Sequence, residues 1–343
     1  MSILYVTHPR CVEHDAPQHP EHAGRIRAVW QHMEQSGLKE IVKAEAPLVD
    51  EESLRSVHTE DYLRLLRTLD SLDRTVRLDA DTYANPISYE IARIAAGGVV
   101  HAVDSVLRET CESSIAVVRP PGHHAMPGRA MGFCLLNNVA VAARHAQRAH
   151  GLERVLIVDY DVHHGNGTEA IFYDDPSVLF ISTHQAHIYP GTGAIGDVGT
   201  GKGTGFTLNI PMPGGCGDRN YGQVFDEIIL PAARRFQPQM ILVSVGHDAH
   251  WADPLAGMAL TLEGYASLAQ RMITLADELC GGKIAFVMEG GYNLDALANG
   301  MVNIARLLTG RAPTDPLGPP VGARREPDLS SLIAEIRQVH KLT

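Results

Sequence analysis

The stretch Val155–Phe172, which reads VLIVDYDVHHGNGTEAIF, decides the fold of the chain. Its first residues, Val155–Val158, form an apolar and β-branched run of the kind found in a buried parallel strand. The run ends abruptly in Asp159, Asp161 and His163, and alternate residues of an extended backbone share a face. Two carboxylates and an imidazole at a strand end are costly unless a cation lies between them. The stretch therefore predicts a metal site.

Length and composition favour one large α/β domain. The chain has 343 residues, of which 45% are hydrophobic, so it is long enough to bury a sizeable core. A net charge of −11 without any block of Lys or Arg argues against nucleic acid or an acidic membrane as a direct partner. The five cysteines lack C-x-x-C spacing, and neither a signal peptide nor a spanning apolar run is evident. These features predict a cytoplasmic protein and leave its oligomeric state open, a homo-oligomer included.

Apolar strands alternate with helices along most of the chain. The predicted strands are Ile3–Val6, Ile115–Val118, Val155–Val158, Val178–Ile181, Phe206–Ile210, Met240–Val245 and Ile284–Met288. The predicted helices are Glu21–Ser36, Glu51–Val57, Glu60–Leu72, Ile87–Arg108, Leu135–His150, Thr168–Tyr173, Tyr221–Phe236 with an interruption at Pro231, Leu262–Leu279 and Leu294–Leu308, and Arg77–Pro86 is a predicted loop. This alternation predicts a single α/β domain with a mostly parallel central sheet flanked by helices on both faces. Residues 311–343, a Pro-rich segment and the helix Leu329–His340, are expected to pack on the catalytic domain of residues 1–310.

Polar side chains gather where the predicted strands end. The clusters are His123–His124, Asp159–His164, Ser182–His184, Asp248–His250 and Tyr292. Open α/β sheets bind ligands beyond the carboxyl ends of their strands. Five separate segments are therefore expected to deliver their side chains to one edge of one sheet.

Asp161, His163 and Asp248 form a candidate three-ligand metal site. A lone strand-end Asp is most often a helix cap, but the acidic residues of DYD come as a pair, and the second has no cap role. Two carboxylates and one imidazole leave a position open for water and substrate, as in catalytic zinc sites. The pair His123–His124 supplies candidate acid and base groups, and Tyr292 offers a hydroxyl to a developing oxyanion. The chemistry that fits is metal-assisted hydrolysis of an amide or ester.

Other motifs carry less weight. Two His-His pairs prove nothing by themselves in a chain with 18 histidines. The loop Gly199–Thr204 reads GTGKGT, but Gly203 follows its Lys where a phosphate-binding loop needs Ser or Thr. The cluster His14, His19 and His22 is interpreted as a solvated loop near the mouth of the site rather than as a metal site.

Six motifs in order resemble those of histone deacetylases. They are RPPGHHA (Arg119–Ala125), GFCLLNNVAVAAR (Gly132–Arg144), DYDVHHGNGT (Asp159–Thr168), YPGTG (Tyr189–Gly193), DAHWADPL (Asp248–Leu255) and EGGYNL (Glu289–Leu294). The chain is similar over residues 3–310 to the zinc-dependent histone deacetylase and acetylpolyamine amidohydrolase family, which has the arginase/deacetylase fold. Asn166 and Pro120–Pro121 make it look most like class II enzymes and bacterial homologues.

The resemblance implies a role for each residue of the site. One zinc ion per subunit would be held by Asp161, His163 and Asp248. His124 would be the general base and acid, with His123 acting electrostatically and Tyr292 polarising the acyl carbonyl. A structural potassium ion would be bound at Asp159, Ser182 and Thr183, and a second one at Phe172, Asp175 and Val178. The substrate would be bound by Gly132, Phe133, Tyr189, Leu255, Gly290 and Gly291.

The implied function is a zinc-dependent deacetylase that removes acetyl or related acyl groups from an amine. Acetyl-lysine and small acetylpolyamine-like molecules both remain as substrates. Leu255 stands where polyamine-selective class II relatives carry Glu, and His247 stands where many relatives carry Phe. Asn166 replaces a carboxylate of class I enzymes, which should leave His124 less basic. The alternatives are a catalytically weak acyl-lysine or metal-binding sensor, and an arginase-like ureohydrolase with two manganese ions.

Overall fold

The computed structural model of the chain describes residues 2–320, 322 and 325–342. Its strands are β1 (Ile3–Thr7), β2 (Ile41–Glu45), β3 (Val76–Arg77), β4 (Tyr83–Ala84), β5 (Ser113–Ala116), β6 (Val155–Asp159), β7 (Val178–Gln185), β8 (Thr207–Met212), β9 (Met240–Val245) and β10 (Ile284–Met288). Its α-helices are α1 (Gly24–Gln35), α2 (Glu51–Arg55), α3 (Glu60–Arg67), α4 (Ser88–Leu107), α5 (Asn138–His150), α6 (Asn166–Phe172), α7 (Asp218–Val224), α8 (Leu230–Phe236), α9 (Leu262–Cys280), α10 (Leu294–Leu308) and α11 (Ser330–His340). Short 3-10 turns occur at Pro9–Val12, Thr68–Ser71 and Gly201–Gly203.

The central sheet has eight strands in the described part of the chain, in the order β2-β1-β5-β10-β9-β6-β7-β8. Every neighbouring pair in it is parallel. All five residues of β6 are buried, so both faces of the sheet are covered there. One group of helices packs α4 against α5, and another packs α10 against α1 and α9. The predicted α/β fold with a parallel central sheet is confirmed.

The strand β2 at one edge of the sheet was missed by the sequence reading. Its residues IVKAE are mostly exposed or half-buried and lack the apolar run that marks the inner strands. The segment Arg77–Pro86, predicted to be a loop, contributes Tyr83–Ala84 to a two-stranded antiparallel ribbon with Val76–Arg77. Two-residue strands are too short for a periodic signal, so sequence patterns do not reveal them.

The helix predicted at Tyr221–Phe236 continues past Pro231 instead of breaking there. A five-residue π-helical turn, Phe225–Ile229, lies between α7 and α8, and the N–H of Leu230 donates to the carbonyl of Phe225. Proline has no N–H and crowds the preceding turn, and the wider π turn makes room for it. The predicted interruption is therefore a change of helical pitch.

The C-terminal segment returns to the domain. Helix α11 packs against β8 and against the π-helical turn Phe225–Ile229. Glu326, in the segment before α11, accepts hydrogen bonds from the backbone N–H groups of Gly217 and Asn220. The prediction for residues 311–343 includes residues 321, 323, 324 and 343, which lie outside the described residues, as does residue 1.

Among the described residues, no helix combines the length and the apolar character that crossing a membrane requires.

Candidate active site

The site lies beyond the carboxyl ends of four adjacent strands, β5, β10, β9 and β6. The loop after β5 carries His123 and His124, and the loop after β10 carries Tyr292. The loops after β9 and β6 carry Asp248 and the pair Asp161 and His163. Because parallel strands present their carboxyl ends at one edge, these four loops converge. The fifth predicted segment, Ser182–His184, does not follow a strand, because β7 continues to Gln185.

Asp161, His163 and Asp248 come together in a buried cluster whose candidate ligand atoms lie within 4.8 Å of one another. The Nδ1 atom of His163 is 3.2 Å from Oδ1 of Asp161 and 3.2 Å from Oδ2 of Asp248. One N–H cannot serve two carboxylates well, whereas ligands about 2.1 Å from a tetrahedral zinc ion lie about 3.4 Å apart. The donor set and its spacing fit a zinc ion.

The backbone around this cluster leaves room only for the two carboxylates. A Cβ on Gly246 would lie 2.1 Å from Oδ2 of Asp161, and one on Gly290 would lie 2.2 Å from Oδ2 of Asp248. The N–H of Gly290 donates to Asp161 at 2.8 Å, and the N–H of Val162 donates to Asp248 at 2.9 Å. Glycines at these positions let the backbone hold each carboxylate in a fixed orientation.

The two acidic residues Asp159 and Asp161 do not share a strand face as predicted. Strand β6 ends at Asp159, and Asp161 and His163 lie in the irregular loop that follows. Asp159 turns to His123, whose Nδ1 lies 2.9 Å from the Asp159 carboxylate, while Asp161 turns to the metal-ligand cluster. Side chains do not alternate regularly here because the backbone after Asp159 is no longer an extended strand.

His123 and His124 lie in opposite electrostatic surroundings. Burial acts to lower the pKa of His123, but the carboxylates of Asp159 and Asp161 outweigh it and raise that pKa to about 10. Burial, together with His123 and His163, holds the pKa of His124 well below its ordinary value. His123 therefore favours the cation, and its neighbour favours the neutral imidazole.

Asn166 fixes the tautomer of His124. Its Oδ1 lies 2.7 Å from Nδ1 of His124, and its amide nitrogen donates to the sulfurs of Met126 and Met131 at 3.3 Å. Because the amide hydrogens face the sulfurs, Oδ1 must accept from Nδ1–H. The Nε2 atom of His124 is then left without a proton, as a general base requires.

Tyr292 is held by residues that the sequence reading passed over. The carboxylate of Asp253 accepts the backbone N–H groups of Tyr292 and Asn293 at 2.7 and 3.1 Å. The fully buried Arg25 donates to the carbonyl of Gly291 at 2.8 Å, and its guanidinium carbon lies 5.0 Å from the centre of the Tyr292 ring. Burial raises the pKa of Tyr292 well above its ordinary value, so its hydroxyl keeps its proton.

Glu289 is another residue without an assigned role in the sequence reading. It is fully buried and accepts the backbone N–H groups of Gly122 and His123 at 2.7 and 3.2 Å. The hydroxyl of Ser244 donates to its other oxygen at 3.1 Å. Glu289 thus joins the loops after β5 and β10 to β9. Its position in the EGGYN motif was the signal, but no local pattern distinguishes it from a surface carboxylate.

Aromatic side chains stand beside the catalytic groups. The Phe133 ring lies 5.8 Å from the Tyr292 ring, and the Tyr189 ring lies 5.2 Å from the imidazole of His124, in both cases edge to face. Tyr189 is 38% exposed beside His124, which places it at the opening of the site, and Leu255 is 37% exposed. At Gly132 the backbone has a φ of +57°, and a Cβ would lie 2.3 Å from the ring of His124.

The residues predicted to bind potassium fall in two groups. Asp159 and Ser182 are paired in register on β6 and β7, so their side chains share a face of the sheet, and Thr183 presents its backbone carbonyl beside them while its side chain points to the opposite face. Phe172 and Val178 lie at the end of α6 and the start of β7. Asp175 between them forms an ion pair with Arg144, so a cation already accompanies its carboxylate.

Comparisons with known proteins find relatives over most of the chain. A family model described as a histone deacetylase domain matches residues 19–308. The chain is 44% identical over 314 residues to histone deacetylase 14, chloroplastic, of Arabidopsis thaliana, covering 87% of this chain and 74% of that protein. It is 42% identical over 294 residues to a probable deacetylase of Archaeoglobus fulgidus, covering 84% of this chain and 81% of that protein. The crystal structure of the HDA15 HD domain matches with a TM-score of 0.90 at 35% identity, covering 99% of this chain and 96% of that chain.

Proposed function

The chain belongs to the histone deacetylase family, and on this premise we propose that it is a zinc-dependent deacetylase that hydrolyses the amide of an acetylated or otherwise acylated amine. The observation that carries the zinc dependence is the placement of His163 Nδ1 at 3.2 Å from one oxygen of Asp161 and one of Asp248. We assign these three residues as the zinc ligands. Zinc bound there supplies a Lewis acid that lowers the pKa of a water molecule and polarises the acyl carbonyl.

The two histidines of the RPPGHHA motif divide the proton chemistry between them. His124, neutral and with Nε2 free, takes a proton from the attacking water and later gives it to the nitrogen of the leaving amine. His123, paired with Asp159, stays cationic and stabilises negative charge that develops beside it. Its hydrogen bond to Asp159 keeps the ring in place through both proton transfers.

Tyr292 and the aromatic side chains orient the substrate. The Tyr292 hydroxyl donates to the acyl oxygen as negative charge develops on it. Phe133 and Tyr189 form the walls that align an extended aliphatic chain and exclude water from the reacting amide. Leu255, with Gly132, Gly290 and Gly291 along the backbone, completes the proposed substrate site.

We further propose that the protein binds structural potassium. A structural potassium ion at Asp159, Ser182 and Thr183, the last through its backbone carbonyl, is supported by the buried Asp159 carboxylate and by the in-register pairing of Asp159 with Ser182. The second potassium ion, at Phe172, Asp175 and Val178, has less support because Arg144 already neutralises Asp175. Cytoplasmic location, the lack of nucleic-acid and membrane partners, and a homo-oligomer stay predictions.

The arrangement of ligands does not favour an arginase-like site with two adjacent manganese ions. In the described residues, the second cluster of three metal-ligating groups lies between helices α4 and α5, not beside the first. Asp159, which is the nearest extra carboxylate in sequence, is engaged by His123. The sensor alternative is weakened by the presence of His124 and Tyr292 together with the full ligand set.

A side-by-side panel of kcat/KM values tests the proposal. The substrates are an acetyl-lysine peptide, acetylputrescine, acetylspermidine and a small acyl ester, each with wild type and with His163→Ala. We expect hydrolysis of at least one acetyl-amide by a zinc-containing wild type, and loss of both activity and the catalytic zinc in the variant. Turnover that depends on two manganese ions, or no turnover of any acetyl-amide by the zinc-loaded chain, would overturn the proposal.

A further inference from the structure

A second group of metal-ligating side chains lies between α4 and α5. Asp104 comes from α4, and His145 and His150 come from α5, with candidate ligand atoms within 4.8 Å of one another. The Nε2 atoms of His145 and His150 lie 2.7 and 2.6 Å from the same oxygen, Oδ1 of Asp104. One carboxylate oxygen therefore collects two imidazoles from successive turns of the neighbouring helix.

This cluster is remote from the active site along the chain fold. Asp104 lies in the last turn of α4, and His150 is the last residue of α5. Strand β6 begins at Val155, shortly after His150, so the cluster lies towards the amino-terminal edge of the sheet. The proposed catalytic groups follow the carboxyl ends of the strands instead. No residue of the proposed reaction takes part in the cluster.

The surroundings favour a cation at this position. Two helices direct their carboxyl ends, which carry partial negative charge, towards the cluster. The other oxygen of Asp104 is held by Arg108 at 3.1 Å, which turns Oδ1 towards the imidazoles. A fixed outer oxygen of this kind is typical of a carboxylate that ligates a metal. Arg108 therefore fixes the orientation of the Asp104 carboxylate through Oδ2, and Oδ1 faces the two imidazoles as the candidate ligand atom.

Zinc is the ion that this donor set matches. Imidazole nitrogens and a carboxylate oxygen bind zinc at about 2.0–2.2 Å, so the ligand atoms would lie about 3.4 Å apart. The present contacts of 2.6 and 2.7 Å are hydrogen bonds and must open by about 0.7 Å. The side chains of Asp104, His145 and His150 are 16–19% exposed, which leaves water access to a fourth position.

We propose that Asp104, His145 and His150 form a second zinc site that links α4 to α5 and is independent of the catalytic site. The ion replaces the two hydrogen-bonded protons between the imidazoles and Asp104 Oδ1. It ties the end of α5 to α4 immediately before β6, the strand that leads to Asp159 and the zinc ligands Asp161 and His163. Its role is therefore structural.

Zinc uptake by the full chain tests this proposal. The chain is stripped with a chelator, dialysed against buffered micromolar free Zn²⁺ and analysed for metal content. We expect two equivalents in wild type and one in the double variant His145→Ala/His150→Ala. His163→Ala, which removes a proposed catalytic ligand, is expected to retain one equivalent as well. Thermal unfolding of His163→Ala should shift upwards on addition of zinc, whereas His163→Ala/Asp104→Asn should shift less.

Matched controls separate this site from the catalytic one. His101→Ala removes a histidine of α4 that lies outside the cluster, and this variant is expected to keep two equivalents of zinc. A wild type that binds one equivalent while His163→Ala binds none would overturn the second site and leave the catalytic zinc intact. A double variant that still binds two equivalents would also overturn it. If the double variant fails to fold, the comparison of wild type with His163→Ala decides alone.

Discussion

The carboxylate of Asp253 accepts a hydrogen bond from the backbone N–H of Tyr292 at 2.7 Å. The other oxygen of the same carboxylate accepts the N–H of Leu255 at 2.9 Å. One buried side chain therefore sets the position of the proposed oxyanion donor, Tyr292, and of Leu255, a proposed substrate-binding residue. Asp253 and Tyr292 are 39 residues apart in the sequence.

Replacing Asp253 by Ala is expected to lower kcat/KM without removing zinc. The turn that carries Tyr292 loses its anchor, and misplacement of a catalytic group by about 1 Å can cost on the order of 10²-fold in rate. Asp253→Asn keeps one acceptor oxygen and should lie between wild type and Asp253→Ala. Steady-state kinetics and metal content measure both effects, with Asp277→Ala on the exposed side of α9 as the control. Equal rates for Asp253→Ala and wild type would contradict the positioning role.

Tyr292→Phe is expected to reduce kcat on acetyl-lysine substrates by on the order of 10²-fold, as the loss of one oxyanion donor does elsewhere. The phenyl ring keeps the contacts with Phe133 and Arg25, so the free energy of unfolding and the zinc content should stay at their wild-type values. Tyr189→Phe removes the hydroxyl of a neighbouring aromatic side chain to which we assign only a role in lining the substrate site. That variant should change kcat by no more than a few fold, and equal losses in the two variants would refute the assignment.

Gly300→Ala is expected to destabilise the protein although it adds helix propensity to α10. The new Cβ would lie 2.0 Å from Nε2 of His247, which is fully buried beside the proposed ligand Asp248. Overpacking costs about 1–3 kcal/mol, whereas Gly to Ala in a helix gains about 1 kcal/mol. Urea unfolding should therefore show a net loss, and displacement of His247 should also lower zinc affinity. Gly196→Ala, where no described atom lies within 4 Å of the new Cβ, should be close to neutral.

Glu21 should make the stability of the protein depend on pH in the acid range. Burial acts to raise its pKa, but Arg119 and Arg25 outweigh burial and lower that pKa from its ordinary 4.5 to about 2. The two guanidiniums lie 2.7 and 3.1 Å from its oxygens. A carboxyl group whose pKa is lowered by folding stabilises the fold above pH 4.5, and this contribution is lost as the pH falls towards 2.

Glu21→Gln is expected to lower the free energy of unfolding at pH 7 by about 3–5 kcal/mol, because two buried guanidiniums lose their counter-charge. The difference from wild type should shrink between pH 4.5 and 2. The neighbouring His14, 3.8 Å away, is fully buried, so the interpretation of its segment as a solvated loop is wrong for this residue. Burial and Arg119 lower the pKa of His14 to about 3, so it is neutral above that pH. Urea unfolding at several pH values measures the difference, with exposed Glu34→Gln as control. A difference that does not change with pH would contradict the prediction.

Much of the fold could be predicted from the sequence because the patterns that mark its strands and helices are local. Apolar runs such as Val155–Val158 predicted the inner strands, and their helical partners followed from apolar periodicity. The edge strand Ile41–Glu45 could not be predicted because its residues are exposed or half-buried and form no apolar run. The ribbon strand Tyr83–Ala84 could not be predicted because it has only two residues. The sequence also did not predict that the helix continues through Pro231, since this depends on the π-helical turn that precedes the proline.

For the candidate site, the sequence placed the reactive side chains but not the residues that hold them. Asp161, His163, Asp248 and Tyr292 follow strand ends in a parallel sheet, and this position alone sends them to one edge. Arg25 lies in an ordinary helical stretch, yet it is buried and donates to the carbonyl of Gly291, 266 residues away. No local pattern encodes such a contact.

The sequence by itself thus determined the strand–helix alternation, the edge at which the chemistry collects and the types of side chain that perform it. The tertiary structure alone decided that β10, last in chain order, lies between β5 and β9, which brings Glu289 and Tyr292 between His123 and Asp248. It also decided that Asp159 turns to His123 while Asp161 turns to the metal-ligand cluster. The physical reason is the distance along the chain over which each kind of interaction acts. Backbone periodicity and capping act over a few residues, whereas strand order and buried charge pairing are settled by the burial of whole faces of the sheet.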